Sequence, residues 1–212
     1  FPVSAKLGLI SLLFAEAVGL FFGILCAQFR GKWPDYLLMV VAVLGIALPS
    51  MVLGPILRMI FGVKLGILPV TGWGKTNQII LPALVLGLGT VAGNTRNMRA
   101  SMLAITTQDY VKTARAKGLS PIRVVLKHQF KNSLVPIIPN LGVQIAGVLM
   151  GSFVVESMFL IPGLGRYFVD SVTNLDYPLI MGLTVFYGAF LVTMNLIVDV
   201  LYGLIDPRIR VK

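Results

Sequence analysis

The sequence offers few side chains that could carry out covalent chemistry. His128 is the only histidine and Cys26 the only cysteine, and neither belongs to a spacing typical of nucleophilic catalysis or of a metal site. The stretch PVTGWGKT at positions 69–76 ends like a phosphate-binding loop, but Pro69 replaces the first glycine and no strand precedes it. We therefore predict no catalytic residues, no metal site and no cofactor on this chain.

The composition indicates an integral membrane protein. Apolar residues make up 57% of the chain and charged residues only 12%, with a mean hydropathy of +0.89. Apolar runs of about 20 residues each match one helical crossing of a bilayer. We predict an all-α bundle that forms one transmembrane domain over residues 1–212, with about five spans. The predicted spans are 7–29, 36–61, 78–93, 134–157 and 178–205, and Pro49 and Pro82 are expected to interrupt the second and third.

The basic residues are concentrated on one side of this arrangement. Most of the 18 lysines and arginines follow the first span, lie between the third and fourth, or follow the last; this final group is Arg208, Arg210 and Lys212. Because cytoplasmic loops are enriched in lysine and arginine, we expect the chain to begin outside and to end in the cytoplasm. Topology thus accounts for the net charge of +10, and no nucleic acid partner is predicted.

The most charged segment lies between the third and fourth spans and predicts two short helices. Thr106 and Asp109 have the spacing of a capping box. Val111 and Ala114 share one face of the helix that follows. Gly118 ends this first helix and is expected to adopt a positive φ.

The second short helix has a basic face. Ser120 is its predicted N-cap and Pro121 its first residue. Arg123, Lys127 and Lys131 follow at the i, i+4, i+8 spacing of one helical face.

The pattern of this loop, residues 100–133, leaves two interpretations open. In the first, the two helices lie on the anionic surface of the membrane. In the second, they dock to a cytoplasmic partner. Ala114, Ala116 and Gly118 favour docking, because small residues permit close approach by another protein and supply little membrane anchoring.

The loop resembles the EAA loop of ABC importer membrane subunits. Ala114 and Gly118 match the general pattern of Glu-Ala-Ala, three residues and glycine. The segments DYVKTARAKGL from Asp109 and KHQFKNSLVP from Lys127 are typical of the oligopeptide and dipeptide permeases, a branch that includes nickel permeases. Two further segments resemble the same branch: VVESMFLIPGLGRYFVDSVTNLDYPLI from Val154 and VDVLYGLIDPRIR from Val198. The opening FPVSAKLGL resembles the start of the second helix in the B-type member.

The resemblance implies a subunit like those of type I ABC importers, with six helices, of which this chain lacks the first and the external segment after it. It implies a homologous C-type permease, two cytoplasmic ATPases that bind ATP and Mg²⁺, and an extracellular solute-binding protein that supplies peptide. The resemblance also implies that the subunit lies in the bacterial cytoplasmic membrane, in contact with lipid. The residues expected to couple to the ATPases are Asp109, Tyr110, Ala114, Arg115, Ala116, Gly118, Leu119, Ser120 and His128. A metal-ion permease such as one for nickel is one alternative, and a channel or membrane-assembly subunit without ATP coupling is the other.

Four residues are candidates for the transport pathway or its gate: Glu16, Glu156, Pro162 and Gly163. Glu16 lies near the middle of the first span, where an ionisable group is costly. It is interpreted either as a buried polar contact or as a cavity-lining charge. The segment from Glu156 to Tyr177, with Pro162 and Gly163, is a compact external loop. It is interpreted as a lid over the outer mouth of the pathway or as a plain connection.

Overall fold

The structure, a computed structural model, describes residues 1–149 and 152–205. This part of the chain consists of helices joined by turns and contains no β-strand. The helices are α1 (Pro2–Gln28), α2 (Trp33–Ala47), α3 (Ser50–Leu57), α4 (Thr76–Thr106), α5 (Asp109–Ala116), α6 (Pro121–Arg123), α7 (Lys131–Ser133), α8 (Ile138–Leu149), α9 (Phe153–Met158), α10 (Leu164–Thr173) and α11 (Tyr177–Ile205). π-Helical stretches continue α3 over Arg58–Lys64 and join α6 to α7 over Val124–Phe130. Arg208, Arg210 and Lys212, which entered the orientation argument, lie outside the described residues.

Three of the described helices are long and apolar enough to cross a bilayer. They are α1, α4 and the 177–197 part of α11, with mean hydropathies of 2.3, 1.4 and 1.8. α2 forms a bent pair with α3 and the π-helical stretch that continues α3. This pair adds a fourth candidate span if it counts as one span. The predicted span 134–157 is covered by α8 and α9, with residues 150 and 151 between them outside the described part. The prediction of an all-α membrane bundle is confirmed, with three or four candidate spans among the described residues where the sequence indicated five.

Proline explains why the predicted span 36–61 is broken. α2 ends at Ala47, α3 begins at Ser50, and the two helices are bent by 111°. Pro49 between them has an extended ψ of 145°; its ring disfavours helical backbone at the preceding residue, and its nitrogen carries no hydrogen to donate. α4 differs, because it continues through Pro82. The expected interruption of the third span is therefore wrong.

The chain divides into two compact units. The first contains residues 1–14, 48–87 and the described part of 141–212. Its core is apolar and draws on α1, the first turns of α4 and the α9 region. The buried members are Leu7, Ile79, Leu81, Ala83, Val85, Val155, Phe159 and Ile161.

The second unit contains residues 15–47 and 88–140 and includes the charged loop. α1 lies close to α4 in this unit because two glycines on α1, at the G-x-x-x-G spacing, face α4. A Cβ atom on Gly19 would stand only 2.7 Å from the Cβ atom of Asn94, and one on Gly23 only 2.8 Å from the carbonyl oxygen of Thr95. A larger residue at either glycine would therefore force the two helices apart.

Candidate coupling site

The charged loop begins where α4 ends. Thr106 is the last residue of α4, and its hydroxyl donates a hydrogen bond of 2.7 Å to the carbonyl oxygen of Met102. Gln108 is the N-cap residue of α5, and its side chain accepts no cap hydrogen bond. The predicted capping box of Thr106 and Asp109 is therefore wrong, because Thr106 belongs to the final turn of α4. Asp109 instead pairs with Lys112 at 2.9 Å on the exposed surface of α5.

The apolar face of α5 turns inward, toward the rest of the loop. Val111 is fully buried and Ala114 is only 4% exposed. Both pack with Val124, and Ile105 and Leu119 lie at the margin of this cluster. Ala114 therefore belongs to the core of the loop and not, as its small size suggested, to a surface open to a partner.

The exposed side of α5 is formed by other residues. Arg115 and Ala116 are exposed, and Lys112 and Thr113 are exposed one turn earlier. Tyr110 keeps 42% of its surface exposed. A partner that approaches α5 would therefore meet basic, polar and small side chains together.

Gly118 forms the turn between the two short helices, and its predicted positive φ is confirmed. Its φ is +73°, and its N–H donates a hydrogen bond of 2.9 Å to the carbonyl oxygen of Arg115. Lys117 is the C-cap residue of α5. Ser120 is the N-cap residue of α6 and Pro121 its first residue, as predicted, but the Ser120 side chain makes no cap hydrogen bond.

The second helix of the loop presents its charges outward. Arg123, Lys127 and Lys131 are all exposed, which agrees with the predicted basic face. His128 is half-buried, and its carbonyl oxygen accepts a hydrogen bond of 2.7 Å from the side chain of Asn132. His128 thus lies in an ordinary helix-surface environment.

A buried glutamine that sequence reasoning missed joins the loop to two long helices. Gln129 is 1% exposed. Its Oε1 accepts a hydrogen bond of 3.2 Å from Nε2 of Gln28, and its Nε2 donates one of 3.1 Å to the hydroxyl of Thr106. Gln129 comes five residues after the buried Val124, a spacing that returns to nearly the same face in a π-helix but not in an α-helix. The π-helical stretch therefore explains why an α-helical reading missed it.

A second unpredicted contact fixes the connection between α1 and α2 against α4. Asp35 is 2% exposed, and its two carboxylate oxygens each accept a hydrogen bond of 2.7 Å from Arg99. Its Oδ2 also accepts one of 3.0 Å from the N–H of Gly31. Such bidentate pairs fix orientation as well as adding charge-assisted hydrogen bonds. From the sequence alone, Arg99 is only one of the basic residues between the third and fourth predicted spans.

Glu16 makes a polar contact between α1 and α4. Its Oε1 accepts a hydrogen bond of 2.6 Å from Nδ2 of Asn94, and Asn94 is fully buried. This geometry corresponds to the first of the two interpretations of Glu16. The bond lies beside the close helix approach at Gly19, so the polar and the small residues act on the same contact.

Glu156 and Gly163 come together at the start of α10, and Pro162 lies in the turn before it. Glu156 is fully buried. Its Oε2 accepts hydrogen bonds from the N–H of Gly165, at 2.8 Å, and from the N–H of the next residue, at 3.4 Å. The hydroxyl oxygen of Ser4 accepts a bond of 2.8 Å from the first N–H of α10. These contacts cap donors that a helix start leaves without partners; a lid role for the segment stays a prediction.

Known structures share this helical arrangement. A chain of the MetNI methionine ABC transporter in an inward-facing conformation superimposes with a TM-score of 0.78, over 96% of this chain and 93% of that one, at 15% identity. A chain of an amino acid ABC transporter solved with histidines superimposes with a TM-score of 0.71, over 95% of this chain and 90% of that one, at 17% identity. This chain therefore has the same fold as these two transporter chains.

Sequence similarity defines the family. Residues 19–211 match the family described as binding-protein-dependent transport system inner membrane component, and the chain belongs to it. The dipeptide transport system permease protein DppB of Bacillus subtilis (strain 168) is 45% identical over 99% of this chain and 68% of its own length. The oligopeptide transport system permease protein OppB of Haemophilus influenzae is 43% identical, over 99% and 69%. The glutathione transport system permease protein GsiC of Escherichia coli (strain K12) is 44% identical, over 95% and 66%. The chain thus spans about two thirds of the length of these relatives.

Proposed function

We propose that this chain is the permease subunit of an ATP-driven importer that moves dipeptides or oligopeptides across the bacterial cytoplasmic membrane. The observation that carries the proposal is its 45% identity, over 99% of its length, to a dipeptide transport permease. Two further permeases at 43% and 44% identity are named for oligopeptides and for glutathione. These names favour a peptide substrate over a metal ion, and a permease over a channel without ATP coupling.

The loop between α4 and α8 is the proposed docking element for a cytoplasmic ATPase. Arg115, Ala116 and Gly118 are exposed on α5 and its following turn, where an ATPase can contact them. Val111 and Ala114 hold α5 against the second helix of the loop through a buried cluster. A helix that is fixed in this way moves as a unit with whatever binds its exposed side, which is the property that coupling requires.

In the proposed mechanism, ATP and Mg²⁺ act on other chains. ATP binding closes a pair of ATPases, the docked loop follows, and the long helices change between inward-open and outward-open arrangements. A homologous C-type permease completes the pathway, and an extracellular solute-binding protein supplies the peptide. The Glu16–Asn94 bond keeps α1 and α4 together during this change. The chain itself performs no covalent chemistry.

Affinity purification tests this proposal. The full protein, expressed with its genomic neighbours, should retain ATPases and a second permease in mild detergent. ATP hydrolysis should rise when peptide and solute-binding protein are added, and it should not respond to Ni²⁺. Stimulation by Ni²⁺ instead of peptide would favour a metal-ion permease, and solute flux that is indifferent to ATP would favour a channel.

The orientation has its own test. Single cysteines at Ser120 and Thr76, in a Cys26→Ala background, should react with an impermeant thiol reagent from opposite sides of the membrane, since lysine and arginine are concentrated around Ser120. Labelling of Ser120→Cys from outside intact cells would overturn the proposed orientation.

A further inference from the structure

One side chain, Gln129, joins three elements of the second unit. Gln28 is the last residue of α1 and Thr106 the last residue of α4, and each is hydrogen-bonded to the Gln129 amide. Thr106 in turn donates to the carbonyl oxygen of Met102 at 2.7 Å. A directed series of donors therefore runs from the end of α1, through the loop, into the main chain of α4.

The contact needs an amide specifically. Gln28 donates to Gln129, which must accept, and the Thr106 hydroxyl has given its hydrogen to Met102, so Gln129 must donate to it. A carboxylate lacks the donor, and a thioether lacks the donor and accepts only weakly. A buried amide costs free energy unless its hydrogen bonds are made, so this side chain is stable only while both helix ends hold their positions relative to the loop.

We propose that Gln129 is a positioning residue that keeps the ends of α1 and α4 in register with the loop, so that displacement of the loop moves both helices together. The inference rests on the proposed function, because an ATPase must displace the loop. Val124, in the same π-helical stretch as Gln129, packs on α5 through Val111 and Ala114. The docking helix and Gln129 therefore belong to one packed element.

The test uses Gln129→Met, which keeps the length and apolar bulk of the side chain and removes both hydrogen bonds. Gln78→Met is the control, because it also loses a side-chain hydrogen bond, the one of 3.0 Å accepted from the N–H of Lys75, but lies near the start of α4, outside the loop. In proteoliposomes that hold the full transporter, the ATP hydrolysed per peptide accumulated should rise about fivefold in Gln129→Met, as the loss of ordinary hydrogen bonds implies, and should stay unchanged in Gln78→Met. A side chain that only stabilises the fold would lower hydrolysis and uptake together. An unchanged ratio in Gln129→Met would therefore overturn the proposal.

A second measurement decides the point without transport. Hydrogen exchange of the purified complex should be about fivefold faster at residues 25–28 and 103–106 in Gln129→Met than in the control. Adding Gln28→Met should cause little further change at α1, because the shared bond is already lost. Unchanged exchange at both helix ends would show that Gln129 holds neither. If the unmodified complex ignores peptide, the proposed function fails, and the exchange data still decide whether Gln129 fixes the two ends.

Discussion

Replacing Gly118 with valine should separate partner docking from folding of the loop. At a φ of +73°, valine would have to adopt the left-handed backbone conformation, which costs an L-residue with a Cβ atom roughly 1–2 kcal/mol. A Cβ atom at this position would meet no other atom within 4 Å, so the chain adds no steric clash to that strain. If ATPase binding loses more free energy than this backbone strain accounts for, the excess must come from contact with the partner.

Gly31 provides a matched control for this substitution. Its φ is also +73°, a Cβ atom there would likewise meet nothing within 4 Å, and it lies in the connection between α1 and α2, outside the loop. Gly31→Val therefore carries the same backbone strain as Gly118→Val without adding bulk to the proposed docking surface.

The assay compares co-purified ATPase and peptide uptake for both variants at equal membrane abundance. Gly118→Val should lose ATPase binding about tenfold or more, which corresponds to roughly 1.4 kcal/mol at the interface, and uptake should fall with it. Gly31→Val should retain both. The docking role of the Gly118 turn would be refuted if the two variants held equal amounts of ATPase and transported peptide at equal rates.

Four other substitutions test three separate parts of the structure. Ala114→Trp should destabilise the purified chain by about 1–3 kcal/mol because it overpacks the buried loop cluster. Ala116→Trp, on the exposed side, should lower ATPase co-purification with little effect on stability. Equal stability of the two variants would contradict the burial of Ala114. Asp35→Asn should destabilise the purified chain by about 1–3 kcal/mol, because it weakens the charge-assisted hydrogen bonds that Arg99 donates to the buried carboxylate. An unchanged denaturation midpoint in mild detergent would show that the pair contributes nothing. Glu156→Gln should weaken the cap of α10 by about 1 kcal/mol, seen as roughly fivefold faster hydrogen exchange at its first amides; unaltered exchange would contradict the capping role.

Features that depend on local backbone chemistry could be predicted from the sequence. The positive φ of Gly118, the start of α6 at Pro121 and the break of the second span at Pro49 all follow from the conformations open to glycine and proline. The capacity of α1 for close approach by another helix at Gly19 and Gly23 follows in the same way from the lack of a side chain, whereas the identity of that helix does not. These signals need no knowledge of distant parts of the chain.

Contacts between distant residues could not be predicted in this way. Asp35 and Arg99 are 64 positions apart, and Gln28 and Gln129 are 101 apart, so no local spacing relates them. The π-helical stretch also changes which side chains face inward, and an α-helical period therefore leaves Gln129 unnoticed. The small size of Ala114 indicated close packing, but the sequence did not show that its neighbour would be the loop itself.

The most direct test of the account is peptide uptake by proteoliposomes that contain this permease with its partners, with peptide and solute-binding protein outside and ATP enclosed inside, on the loop side. The account predicts that peptide accumulates against its gradient only when ATP and binding protein are both present, and that Gly118→Val abolishes accumulation while Gly31→Val does not. Equal peptide flux with and without ATP would contradict the central claim that this loop couples a partner ATPase to transport.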